Sequence, residues 1–282
     1  VRYGLTSKTI MKVAFYPDFG QVEADPSVLN LTAFETFYEE KRPFFSEGSD
    51  FFSQRINLFN SRRIGKRPNF YIPDEDEING LSNYTTILGA TKIMGSTTSN
   101  INYGIISVIT NEERATIDDS LSVRKIIVEP RTNYSIGRFE FPILNTISKI
   151  GFMGTNVIRE NALGANVIGG DWNLSLLNNR LFSNGQIIRS NVNNTIGHAF
   201  RFNIGYLNSD WWSARAWFGT SDDKFDINDL GFIRRNNITW SGVRLALRRQ
   251  EPWGHFINND LEFKYTQDWN GSGLVLDREV EI

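Results

Sequence analysis

The stretch HAFRFNIGYL, His198 to Leu207, separates into two rows when alternate residues are compared. Phe200, Phe202, Ile204 and Tyr206 form one row, and Ala199, Arg201, Asn203 and Gly205 form the other. Successive side chains of a strand point to opposite faces, so this period of two describes a strand with one apolar and one polar side. Such a strand suits a sheet with lipid on one face and water on the other.

The same test succeeds on both sides of this stretch. Ile168, Gly170, Trp172, Leu174 and Leu176 oppose Gly169, Asp171, Asn173 and Ser175. Val243, Leu245 and Leu247 oppose Gly242, Arg244, Ala246 and Arg248, and Leu261, Phe263 and Tyr265 oppose Asp260, Glu262, Lys264 and Thr266. Weaker alternation runs through Met11, Val13 and Phe15 and through Ile101 to Thr110, while Asn133 to Phe141 is ambiguous. With turn residues such as Asn178-Asn179 and Asn193-Asn194 between them, these runs predict about 10 to 12 strands in sequential hairpins.

A soluble β-sandwich also turns one face of each strand inward and is the competing architecture. Two features favour an antiparallel up-and-down transmembrane β-barrel, of which this chain supplies a part. The polar rows mix glycine with Arg, Asp and Asn, as a watered lumen permits. Trp172, Trp212, Trp240, Trp253 and Trp269 fall near many of the expected strand ends, where aromatic girdles lie.

Composition agrees with an all-β chain. The 282 residues include 21 Phe, 9 Tyr and 7 Trp but only 8 Pro, which favours strands over disorder. A net charge of -2 argues against a nucleic-acid partner, which would select an excess of Lys and Arg. No cysteine is present, so disulfides, thiol catalysis and cysteine-ligated zinc are excluded. No apolar run approaches the roughly 18 to 20 residues of a spanning helix, and a mean hydropathy of -0.33 is compatible with spanning strands. Val1 begins without an initiator Met or signal peptide, and Leu274 to Ile282 reads as a strand just starting, so the expectation is a fragment whose closing strands are missing.

Residues 18–80 break the rhythm and read as a plug-like insert between a first strand (1–17) and the remaining strands (81–282). Val28, Leu31, Phe34 and Phe37 or Tyr38 recur at helical spacing, predicting a short helix over about 26–40. Asp25 supplies its cap, Pro26 its first position, and Lys41, Arg42 and Pro43 a cationic last turn and a stop. Phe44, Phe45, Phe51 and Phe52 follow, then the basic residues Arg62, Arg63, Lys66 and Arg67. Folded into a barrel, such charges require partners, so Glu23, Asp25, Glu35, Glu40, Lys41, Arg42, Arg62 and Arg63 are the candidate residues of a plug–lumen interface.

The order Asp18-Phe19-Gly20-Gln21-Val22-Glu23-Ala24-Asp25-Pro26, Asn30-Leu31, Phe34-Glu35, Glu40-Lys41-Arg42-Pro43-Phe44-Phe45 and Glu47-Gly48 carries a family resemblance. It continues through Ser61-Arg62-Arg63-Ile64-Gly65, Ile87 to Lys92, Val128-Glu129-Pro130 and Asn228 to Phe232. The chain resembles a bacterial family of unknown function whose members join a carbohydrate-binding-family-nine-like domain, absent here, to an outer-membrane barrel. The resemblance implies export to the outer membrane of a Gram-negative bacterium. It brings no catalytic residues with it.

Site chemistry read from the residues is sparse. His198 and His255 are the only histidines, and neither stands in a nucleophile motif. The acidic stretch Asp222 to Asp229 departs from calcium-loop spacing, with Leu230 and Asn237 where ligands belong. Glu35 and Glu39 lie one expected helical turn apart, a spacing common on helix surfaces. No catalytic, metal or cofactor residues are therefore assigned. Trp211, Arg215 and Trp217 fall on one expected strand face and are candidates for stacking on a sugar. The expectation is an outer-membrane pore, receptor or translocation component with a charged plug, contacting lipid and other outer-membrane or periplasmic proteins. The alternative is a non-catalytic, glycan-binding surface or adhesin module.

Overall fold

The computed structural model describes residues 1–17, 37–68, 77–79, 81–118, 123–207, 211–249, 251–252, 254 and 259–282. The first strands are β1 (Arg2–Thr6), β2 (Thr9–Phe15), β3 (Glu77–Asn79), β4 (Ile87–Ser96), β5 (Asn102–Thr110), β6 (Glu113–Asp118) and β7 (Val123–Glu129). Longer strands follow: β8 (Thr132–Pro142), β9 (Lys149–Arg159), β10 (Ala165–Leu176), β11 (Leu181–Val192), β12 (Thr195–Tyr206), β13 (Trp212–Ser221), β14 (Ile238–Arg249) and β15 (Asn259–Asn270), with β16 (Val275–Glu281) last. Thirteen of them form one antiparallel sheet in the order β1-β2-β4-β5-β8 through β16, and β3-β6-β7 form a small second sheet.

Register explains the alternation. Arg201 pairs with Gln186 and Gly219, Asn203 with Asn184 and Trp217, and Arg215 with Arg244, so the polar rows line up on one face. We call this the inner face, because the only described segments packed on the large sheet lie against it. The opposite rows stay open: Phe152, Ile168, Ile187, Leu245 and Leu261 are 51–59% exposed. Along β12 to β15 apolar side chains thus point to the open face and polar ones to the inner face.

The turns follow local chemistry. Asn193 and Asn194 both adopt positive φ (51° and 64°), the left-handed pair that a two-residue hairpin between β11 and β12 requires. Glycines in the strands serve close packing. Trp172 lies over its cross-strand partner Gly185, Trp217 over Gly242 and Trp240 over Gly219, where a Cβ would collide with each indole. Trp172 and Trp240 are thereby engaged in sheet packing, and Trp240 faces inward with Ser221 and Gly219 rather than outward with a girdle. Trp253 lies outside the described residues.

The expected helix fares differently. Residues 26–36 lie outside the described segments, and residues 37–40, its expected end, are not helical. A single-turn helix, α1, instead runs over Pro43–Ser46, with Arg42 extended before it. Proline lacks an N–H and fixes φ, so Pro43 opens this turn rather than stopping an earlier one. Two turns of 3-10 helix follow at Ser49–Phe51 and Ser61–Arg63.

The insert and the loop between β13 and β14 supply the core. Phe45, Phe52, Leu58, Phe59 and Ile64 pack with Phe225, Ile227 and Leu230 of the loop and with inner-face residues Ile106, Tyr134, Ile136, Met153 and Ile188. Loop and insert are also joined through the backbone. Asn60 N–H donates to Leu230 O at 2.6 Å, and Phe232 N–H donates to Asn57 O at 2.9 Å. Neither segment has enough strand structure to satisfy itself, so each uses the other.

Candidate functional site

The inner face is where the sheet, the insert and the loop meet, and its first element is a buried node in the insert. Arg42 is 7% exposed. It donates to Glu40 through Nε (2.9 Å) and Nη2 (2.7 Å), and to the carbonyls of Ile64 (2.8 Å) and Ser61 (2.6 Å). Its backbone N–H donates to Glu40 at 2.8 Å, and Ser61 Oγ donates to Glu40 at 2.5 Å. One guanidinium therefore ties residues 40–42 of the insert to residues 61–64, and stands 4.5 Å from the Phe45 ring centre.

Burial pushes the Glu40 carboxyl up, but the Arg42 hydrogen bond and charge, with the Ser61 and backbone hydrogen bonds, outweigh it and hold Glu40 below its ordinary value of 4.5. A depressed carboxylate stabilises the fold above its unfolded pKa, and that contribution disappears as pH falls through the folded one. Glu40→Gln should therefore lower the denaturant midpoint at pH 7, and the gap to the parent should narrow steadily below pH 4.5. A gap independent of pH would mean that the charge of Glu40 plays no part.

The basic run connects insert to loop. Arg62 donates to Glu39 O at 2.6 Å. Arg63 donates to Gly231 O at 3.2 Å and Asn228 Oδ1 at 3.3 Å, and stands over Phe232. Lys41 is exposed on the surface of the insert. Thus Glu40, Arg42, Arg62 and Arg63 are brought together, with contacts inside the insert and to the loop. Glu23, Asp25 and Glu35 lie outside the described residues.

Docking on the sheet uses residues that the sequence did not single out. Lys92, 3% exposed, projects from β4 and donates to the carbonyls of Phe44 and Glu47, the latter at 2.6 Å. Gln186 of β11 accepts from Ile56 N–H at 2.9 Å and donates to Ile56 O at 3.0 Å, continuing the sheet's hydrogen bonding into the insert. Arg138 of β8 is 4% exposed and bridges Asp171 (2.9 Å) and Glu140 (2.9 Å), while Gln54 donates to Asp171 at 2.6 Å. The available signal was position: each is a polar residue at inward parity on its strand. The loop carries a similar omission, since Phe225, Ile227 and Leu230 are hidden among its acids.

Past the part of β12 that the loop covers at Gly197 and Ala199, the inner face through β16 carries charge without a packed apolar layer. Arg215 Nε donates to Asn203 Oδ1 at 3.0 Å, and the guanidinium lies 5.9 Å from the Phe182 ring centre and 5.6 Å from that of Trp217. Beyond it, Arg244 pairs with Glu262 (2.6 Å), Arg248 with Asp260 (3.2 Å), and Lys264 with Glu279 and Glu281 (3.0 Å each). Arg215 and Trp217 thus meet, whereas Trp211 lies at the strand's rim, 63% exposed and beside Trp212. Six residues of strand, roughly 20 Å, separate Trp211 from Trp217.

The remaining titratable candidates serve local structure. His198 is exposed and faces Asp222 at 3.4 Å, and Asp222 also accepts from the backbone N–H groups of His198 and Lys224. Asp229 pairs with Arg159, and Asp226 accepts from Asn228 N–H. His255 lies outside the described residues. Among the described residues, no three His, Cys, Asp or Glu side chains are grouped so as to hold a metal.

A family model described as a domain of unknown function, DUF5916, matches residues 1–275. No curated protein and no solved structure matches the chain.

Proposed function

The chain belongs to the DUF5916 family, and from its own residues we propose that it forms part of an outer-membrane β-barrel of a Gram-negative bacterium, acting as a pore, receptor or translocation component with a built-in plug. The observation carrying this reading is the inverted polarity of the large sheet. Its outward rows expose Phe139, Phe152, Ile168, Ile187, Leu245 and Leu261 at 41–59%, and its inward rows carry Lys92, Arg138, Asp171, Arg201 and Arg215. Monomeric soluble proteins rarely expose contiguous apolar patches beyond roughly 300–600 Å². In hydrocarbon the same surface is the favourable one.

Strand length supports the assignment. Strands β8 to β15 contain 10 to 12 residues, and a tilted strand needs about 9–11 to cross a bilayer. Strands β1 and β16 stand at opposite ends of the order. An unpaired edge is not tolerated in lipid, so this function requires additional strands to close the sheet. The family resemblance in the sequence points the same way, including a carbohydrate-binding-like domain ahead of the barrel. The insert and loop, packed across the inner face of β4 to β12, are the proposed plug.

Fractionation and gel mobility test the proposal. Full-length protein should enter the outer-membrane fraction, need detergent for extraction, and migrate differently before and after boiling. A protein that stays in solution without detergent and shows one mobility would remove the barrel reading.

A further inference from the structure

We infer that the inner face at β12 and β13 is a binding site for the oxyanion of a small solute, a carboxylate or a phosphate group, formed by Arg55, Arg201 and Arg215. This deepens the pore-and-plug reading by naming a solute class, and rests on it only for the route by which the solute arrives. Arg55 is exposed and adjoins Ile56, whose backbone N–H and C=O are both hydrogen-bonded to Gln186, the cross-strand partner of Arg201; its charge bears on both Arg201 and Arg215. Cations from the insert, β12 and β13 thus share one sector of the inner face.

Their lack of counter-ions is what distinguishes them. Among the described residues, neither Arg55 nor Arg201 has an ion pair or a side-chain hydrogen bond, and Arg201 Nε is buried with no acceptor. Arg215 likewise has no carboxylate partner among the described residues: it contacts the Asn203 side-chain carbonyl and the rings of Phe182 and Trp217, and its cross-strand neighbour is Arg244. The cations on either side are neutralised, Arg138 by Asp171 and Glu140, Arg244 by Glu262, and Lys264 by Glu279 and Glu281. The positive charge is therefore local to one sector.

Mutual repulsion makes such a sector costly when empty, and a buried donor without an acceptor adds to that cost. An oxyanion relieves both. The planar guanidinium fork matches the geometry of a carboxylate or a phosphate, and Asn203, 1% exposed, fixes the orientation of Arg215. The flanking Phe182 and Trp217 rings hold the cation without neutralising it.

Calorimetric titration of the purified full-length protein at low ionic strength tests the site with three probes: galacturonate, glucose 6-phosphate and neutral galactose. At least one anion should bind and galactose should not, and the stronger anion identifies the carboxylate or phosphate source. Arg201→Gln should weaken anion binding at least tenfold. Arg55→Gln, at an exposed position that does not endanger folding, should weaken it severalfold, and Arg248→Gln, whose parent side chain is paired with Asp260, should leave it unchanged. Absence of anion binding, equal binding of galactose, or unchanged affinity in Arg55→Gln overturns the site. Anion binding by a protein that fractionates without detergent would keep the site and discard the pore, and the reverse pattern would discard the site alone.

Discussion

Replacing Phe52 with alanine is expected to loosen the insert from the sheet by about 3–5 kcal/mol, the range for deleting a fully packed phenylalanine. Phe52 is 2% exposed and packs edge-on against Phe51 (5.4 Å) and Phe59 (5.8 Å), with Gly104 beneath it. A Cβ on Gly104 would press into the Phe52 ring, so the bare backbone of β5 provides the seat. The cavity has little chance to collapse, because the sheet on one side is fixed by its ladder and the loop on the other by its bonds to Asn57 and Asn60. About 3–5 kcal/mol is on the order of a hundred- to thousandfold or more in the opening equilibrium. Amide hydrogen exchange should show this acceleration across residues 42–64, with the ladder of β9 to β12 still protected. Equal acceleration in the ladder would mean that insert and sheet unfold as one unit, and none would mean that Phe52 does not hold the insert.

This dependence on a packed aromatic layer also explains what was legible in the sequence. Strands β12, β14 and β15 were plain because their inner rows contain Arg201, Asn203, Arg244, Glu262 and Lys264, which contrast with apolar outer rows. Strand β8 was ambiguous for a physical reason. Its inner row includes Tyr134 and Ile136, buried against the insert, while its outer row includes Phe139 and Phe141, so both faces are apolar and the period disappears. The expected 10 to 12 strands therefore fall short of the thirteen in the large sheet, and the short strands of the second sheet were missed as well.

Within the insert, the sequence drew attention to charge, whereas the described residues place phenylalanines at its centre. The interval from Phe44 to Phe59 has no regular period because it holds only single helical turns joined by irregular backbone, with polar groups satisfied by Lys92, Gln186 and the loop. Those partners lie far away in sequence, at separations of 45 and 130 residues for Lys92–Glu47 and Gln186–Ile56. No local pattern encodes such a pairing. The candidate anion site was half visible, since Arg215 was chosen for its nearness to Trp217, but Arg55 and Arg201 are joined to it only by the fold.

The second large effect concerns the charge that is neutralised. Arg138→Met should cost about 3–5 kcal/mol, the penalty for removing one partner of a buried ion pair and leaving the other. Arg138 is 4% exposed, and two carboxylates depend on it: Asp171, at 2.9 Å and 3.2 Å through two nitrogens, and Glu140, at 2.9 Å. Glu140 retains Lys149 at 3.4 Å, and Asp171 retains the Gln54 amide at 2.6 Å, so Asp171 is left without a cation and bears most of the loss. A double-mutant cycle separates this loss from packing, because methionine preserves much of the contact that Arg138 makes over Phe51. Arg138→Met with Asp171→Leu should recover a large part of the stability lost in the single variant, since the stranded carboxylate is then gone. Unfolding midpoints of the four proteins supply the measurement. A single-variant loss below about 1 kcal/mol, the scale of an exposed pair, would show that water reaches this part of the inner face and screens it.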